Sequence, residues 1–134
     1  MKNIILGIFS LLLISSCSKE DSVSIVGSWE LNRVVVINAN ILNQNGYPLI
    51  DTIDYENGEL MNFFESDSMN VESANGEIEA IHQYEYKNNT LYFEGIEWYE
   101  VISINSNNLI LGKIVSTELT APIHFTYYYS KILE

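Results

Sequence analysis

The chain has 134 residues, a formal charge of −12, nine Tyr, five Phe and two Trp. So acidic a chain, with its few basic residues scattered singly, argues against nucleic acid or anionic head groups as partners. A single Cys rules out an internal disulfide, and the length suits one small core.

The first residues read as an export signal. Lys2 precedes an apolar run from Ile4 to Ile14, and the small residues Ser15 and Ser16 lead to Cys17. A charged start, a short apolar stretch and small residues before a cut are the parts of a secretory leader, and the run is too short for a permanent membrane span. The expected division is therefore residues 1–16 as signal, 17–25 as an acidic tether and 26–134 as one β domain.

From Ser28 to Ile37 the chain is rich in Val and Ile and reads as a strand. Strict alternation would put Trp29, Leu31, Arg33 and Val35 on one face. Asn45-Gly46 and Pro48 mark a turn, and Leu49 to Tyr55 reads as a short edge strand. Asn57-Gly58 is a hairpin signal leading into Glu59 to Glu65. Ser66-Asp67 turns the chain into Ser68 to Ser73, and Asn75-Gly76 is a third turn of the Asn-Gly kind. Glu79 to Tyr86, Thr90 to Glu94, Ile96 to Ile104 and Leu109 to Ser116 follow as strands. Thr117 to Pro122 reads as a loop, and Ile123 to Leu133 closes the chain. Eight or nine short strands without an amphipathic helix predict an all-β fold. A small antiparallel up-and-down barrel of about eight strands is expected, with a two-sheet sandwich as the alternative.

Little in this pattern suggests catalysis. His82 and His124 fall on different strands, and neither has neighbours at metal-ligand spacing. No Gly-x-Ser-x-Gly elbow occurs. Asp54-x-Glu56 with Glu59 reads as an acidic turn rather than a full calcium loop. The expectation is a protein that is not an enzyme and uses no metal or cofactor. The rival reading is a carbohydrate-active hydrolase built on Glu97 or Glu100, which flank Trp98; an aromatic beside acids also suits sugar stacking.

Several motifs carry a resemblance. Ile14-Ser15-Ser16-Cys17 resembles the lipobox of bacterial lipoproteins, and Ser18-Lys19-Glu20-Asp21 resembles a surface-export signal of Gram-negative, Bacteroidota-type bacteria. Gly27-Ser28-Trp29 resembles the Gly-x-Trp start of the first lipocalin strand. With the hairpin from Tyr84 to Phe93, the strand at Leu109-Ile110-Leu111 and the closing Tyr127-Tyr128-Tyr129, the chain resembles the small lipocalin-like lipoproteins of that phylum. The resemblance implies an acylated Cys17, export directed by Lys19, Glu20 and Asp21, and a place in the outer membrane. A surface-exposed monomer is expected, with the periplasmic face as the alternative. It implies a barrel end formed by Gly27 and Trp29, with Lys131 nearest to the Arg that lipocalins stack over their Trp. It also implies a small apolar or amphipathic ligand. The lining taken from alternating positions is Leu31, Phe64, Trp98, Ile102, Leu111, Phe125 and Tyr127, although the opposite face serves alternation equally well. The competing account is a barrel packed solid, whose surface binds a protein or glycan. Three Asp-Ser/Thr-apolar triplets resemble an O-glycosylation acceptor of the same bacteria, placing glycans at Ser22, Thr52 and Ser68.

Overall fold

The computed structural model describes residues 23–133. The signal, Cys17, the export residues Lys19, Glu20 and Asp21, and Ser22 lie outside them. Nine strands follow in order: β1 (Gly27–Leu42), β2 (Pro48–Asp54), β3 (Leu60–Phe63), β4 (Ser68–Glu72), β5 (Ile78–Lys87), β6 (Thr90–Phe93), β7 (Ile96–Ile104), β8 (Asn108–Thr117) and β9 (Thr120–Lys131). Every pairing is antiparallel. β1 joins β3 at one edge and β9 at the other, so eight strands close into a lipocalin-like barrel of meander order, and β2 is the extra strand.

Turn chemistry explains most of the connections. Asn88 and Asn89 take φ of 50° and 56° between β5 and β6, and Glu94 and Gly95 take 51° and 77° between β6 and β7. Two consecutive left-handed residues give a two-residue turn whose twist matches that of the flanking strands. At Asn45-Gly46 and Asn75-Gly76 the glycine alone is left-handed, and its amide is donated to the carbonyl of Asn43 or Ser73.

Asn57-Gly58 is different, and the hairpin expected there does not form. β2 and β3 do not pair with each other. Both lie along the same edge of β1, β2 from Arg33 outward and β3 from Glu30 inward, like one strand interrupted by residues 55–59. The Tyr55 amide is donated to the Asn32 carbonyl and the Leu31 amide to the Glu59 carbonyl. Gly58 is buried because the chain passes hard against β1, where an ideal Cβ would stand 1.9 Å from the Leu31 carbonyl oxygen. Close backbone approach, not a reversal of direction, is what requires glycine here.

Bulges reset the facing of several strands. Pairing of β1 with β9 shifts between Leu31 and Arg33, so the inward set on β1 is Trp29, Leu31, Val34 and Val36, and Arg33 is exposed. One extra residue exchanges the two faces beyond it. Pro122, expected in a loop, lies within β9 next to another register shift, where a missing donor is tolerated. The core is solid through the barrel's middle and closed end. Trp29, Phe63, Met69, Leu91, Leu109, Leu111 and Tyr129 are fully buried.

Candidate functional site

The barrel has a closed and an open end. At the closed end Gly27, Trp29 and Lys131 come together. The Trp29 indole Nε1 is donated to the Ile25 carbonyl at 2.8 Å, and the Lys131 ammonium to the Val26 carbonyl at 3.1 Å. Lys131 Nζ also stands 5.1 Å from the Trp29 ring centroid, within cation–π range. Gly27 leaves room for this, since a Cβ there would meet Lys131 Cε at 2.7 Å. The arrangement plugs the end and leaves no reactive group free.

The open end carries the polar groups. Laterally paired residues of an antiparallel sheet share a face. Leu31 pairs with Tyr129, and the β1–β3 register places Glu59 beside Leu31 on the other side. One inner row therefore reads Glu59, Leu31, Tyr129. The next row holds Val34 and Tyr127, which pair across β1 and β9. A hollow of about 360 Å³ opens here, where β2 and β3 are interrupted, with Leu31, Val34, Tyr55, Glu59 and Tyr127 on its walls. Tyr99 packs edge-on against Tyr127, with centroids 5.5 Å apart. Burial, ahead of Glu59 and the neighbouring phenols, pushes the Tyr99, Tyr127 and Tyr129 hydroxyls above their ordinary range. Burial, and then repulsion from Glu79, raises Glu59.

That shift has a testable sign. A carboxyl whose pKa is raised on folding favours the folded state below its unfolded value of 4.5, and this advantage is lost as the pH rises through the folded value. Replacing Glu59 by Gln is therefore expected to raise Tm at pH 7 by a few degrees at most, because Glu59 is half exposed and screened. The gain should fade as the pH falls to 4. Thermal scans of both proteins across that range check it.

A second hollow, about 480 Å³, lies on the flank where β7 leaves β8. Glu97, Trp98, Glu100, Ile102, Lys113, His124 and Phe125 are among its lining residues. The Lys113 ammonium stands 4.0 Å from the Trp98 ring centroid. His82 is elsewhere, stacked on Phe93 at 5.3 Å with Nδ1 3.8 Å from Glu94 Oε1. Among the described residues no cluster of His, Cys, Asp or Glu is arranged to hold a metal.

The residues expected to line one cavity are divided by the structure. Leu31 and Leu111 are core, and Tyr127 and Phe125 are half-buried inward residues of β9. Trp98 and Ile102 are exposed and line the flank hollow; each is the extra residue at a bulge of β7, and the Trp98 ring still lies 5.9 Å from Phe93 and 6.3 Å from Tyr99. Phe64 is exposed because β3 has ended at Phe63 and the chain is already turning. Trp98, Glu97 and Glu100 border one hollow, whereas strict alternation separates Glu97 from the other two. Thr52 is exposed on β2, and Ser68 is half-buried at the start of β4. Sequence reasoning gives no site role to Tyr55, Glu59, Tyr99 or Tyr129. A carboxylate opening a strand at Glu59-Leu60, with tyrosines on the inward set of β9, is the available signal.

No protein-family model matches the chain, and no curated protein matches its sequence.

Proposed function

We propose that this chain is a non-enzymatic binding protein that takes a small amphipathic molecule at the open end of its barrel, held at the outer membrane by an acylated Cys17. The observation that carries the reading is the hollow beside Leu31, Val34 and Tyr127, which combines apolar walls with a few convergent polar groups. Ligand sites of small molecules have this composition, mostly apolar with few oriented polar atoms. The closed end supports it, because the Trp29 plug leaves entry to the other end. The anchor reading rests on the sequence around Cys17 alone, and more than one acyl chain would make it stable.

The test is a titration with a neutral apolar fluorophore, N-phenyl-1-naphthylamine, on the protein and on Val34→Trp, which fills the hollow. Binding is expected to weaken about tenfold or more, with the strand spectrum unchanged. Undiminished binding in Val34→Trp would place the ligand elsewhere. Intact mass of protein from native membranes tests the anchor, which an unacylated Cys17 would remove.

A second reading, a surface module for a glycan or protein, is favoured by the flank hollow. There Trp98 is partly exposed beside Glu97, Glu100 and Lys113, a set suited to stacking on a sugar and bonding its hydroxyls. Loss of glycan binding in Trp98→Ala, with fluorophore binding kept, would favour it.

A further inference from the structure

The chemistry of the open end narrows what it takes, given the reading above as a ligand site. Tyr129 is 1% exposed, and its hydroxyl is a buried polar atom without a hydrogen-bond partner. Such a group is costly to leave unpaired, and it makes the floor of the open end polar. It lies on the inner face in the row of Leu31 and Glu59, which line the hollow, but is not itself among the lining residues. Glu59 takes part in none of the salt bridges among the described residues. The Lys and Arg side chains of the described residues have other partners. Arg33 pairs with Asp54 at 2.6 Å on the outside, Lys87 pairs with Glu85 at 3.0 Å, Lys131 is at the closed end, and Lys113 lies over Trp98 at 4.0 Å and, more distantly, over Tyr99 at 5.5 Å. The hollow therefore offers a half-buried carboxylate, phenolic oxygens and an aromatic ring, with no Lys or Arg among the residues that line it.

We propose that the open end is a site for a small organic cation. The ammonium of the ligand rests against the Glu59 carboxylate and the hydroxyls of Tyr55 and Tyr127, and its apolar body lies along Leu31, Val34 and the Tyr127 ring. A carboxylate gives a charge-assisted hydrogen bond, phenol oxygens accept further ones, and ring faces attract positive charge. A chain of net charge −12 also draws cations towards it. Burial and the like charge of Glu79 raise the Glu59 carboxyl, and a bound cation relieves both by giving the carboxylate a counter-charge. Around Glu59 stand Tyr55 and Tyr127 in the hollow, Tyr99 and Tyr129 behind it and the carboxylate of Glu79; the nearest cation is Lys113, which lies over the Tyr99 ring at 5.5 Å. A cation site of this kind therefore weakens as Glu59 takes up a proton.

Calorimetric titration of the full-length protein with three probes of equal chain length tests this: octylammonium, octanol and octanoate, each below micelle formation. Octylammonium is expected to bind about tenfold more tightly than octanol, and octanoate least well. Glu59→Gln should abolish the preference while leaving octanol binding intact. Tyr127→Phe, which removes a phenol lining the hollow, should weaken octylammonium about threefold. Equal binding of all three probes, or a preference that survives Glu59→Gln, would overturn the cation site but leave the ligand-site reading standing. Failure of all three to bind would overturn both.

Discussion

Replacing Trp29 by Ala is expected to cost about 3–5 kcal/mol, a large share of the roughly 5–15 kcal/mol that holds a domain of this size folded. The indole is fully buried, and its loss leaves a cavity at the closed end that rigid neighbours fill poorly. It also leaves the Ile25 carbonyl without its donor and the Lys131 ammonium without its ring. Trp29→Phe keeps most of the volume but not the N–H, so it should cost visibly less. Urea titration of the three proteins gives the comparison. A midpoint for Trp29→Ala within error of the parent would mean that the plug adds nothing to stability.

Gly58→Ala is expected to cost about 3 kcal/mol or more, although it adds only one methyl. The added carbon would stand 1.9 Å from the Leu31 carbonyl oxygen, and that oxygen belongs to the backbone of the strand that closes the barrel. No rotamer change relieves the clash, so residues 55–59 must pull away from β1. The local signature is faster hydrogen exchange at the Leu31 amide, which is donated to the Glu59 carbonyl. An ordinary turn glycine would behave otherwise. A methyl added at Gly46 would meet nothing within 4 Å, and the substitution there strains only its own left-handed backbone.

The same glycine shows where sequence reading stops. Turn chemistry is local, so the turns at Asn45-Gly46 and Asn75-Gly76 are legible from neighbouring residues, although the first strand, read as ending at Ile37, runs on to Leu42. Asn57-Gly58 has the same two letters, but its meaning comes from Leu31, a residue far away in sequence. Alternation is likewise a local rule, and it holds until a bulge adds a residue. Past Leu31 on β1, and at Trp98 and Ile102 on β7, counting by two gives the wrong face. That is why alternation sets Arg33 beside Trp29 and why the expected lining divides between two hollows. The row of Glu59, Leu31 and Tyr129 is not legible at all, because it depends on the registers of three strands at once. The count of strands and the barrel are legible, since short runs of Val, Ile and Tyr between turn residues have few ways to bury both faces.

β2 adds nothing to the core, and every one of its residues is exposed. It nonetheless carries the one strand edge of the described sheet that is left open. Its inner edge is taken by β1, while its outer edge offers a free ladder of amides and carbonyls together with the apolar side chains Leu49, Ile50 and Ile53. Such an edge invites strand addition from a neighbouring molecule. Pro48 withholds one donor, and Asp51 sets a like charge where two such edges would approach, whereas Asp54 is paired with Arg33. The strand the barrel closes without thus carries both the free pairing edge and the residues that guard it, Pro48 and Asp51, so strand addition and folding stability draw on separate parts of the chain.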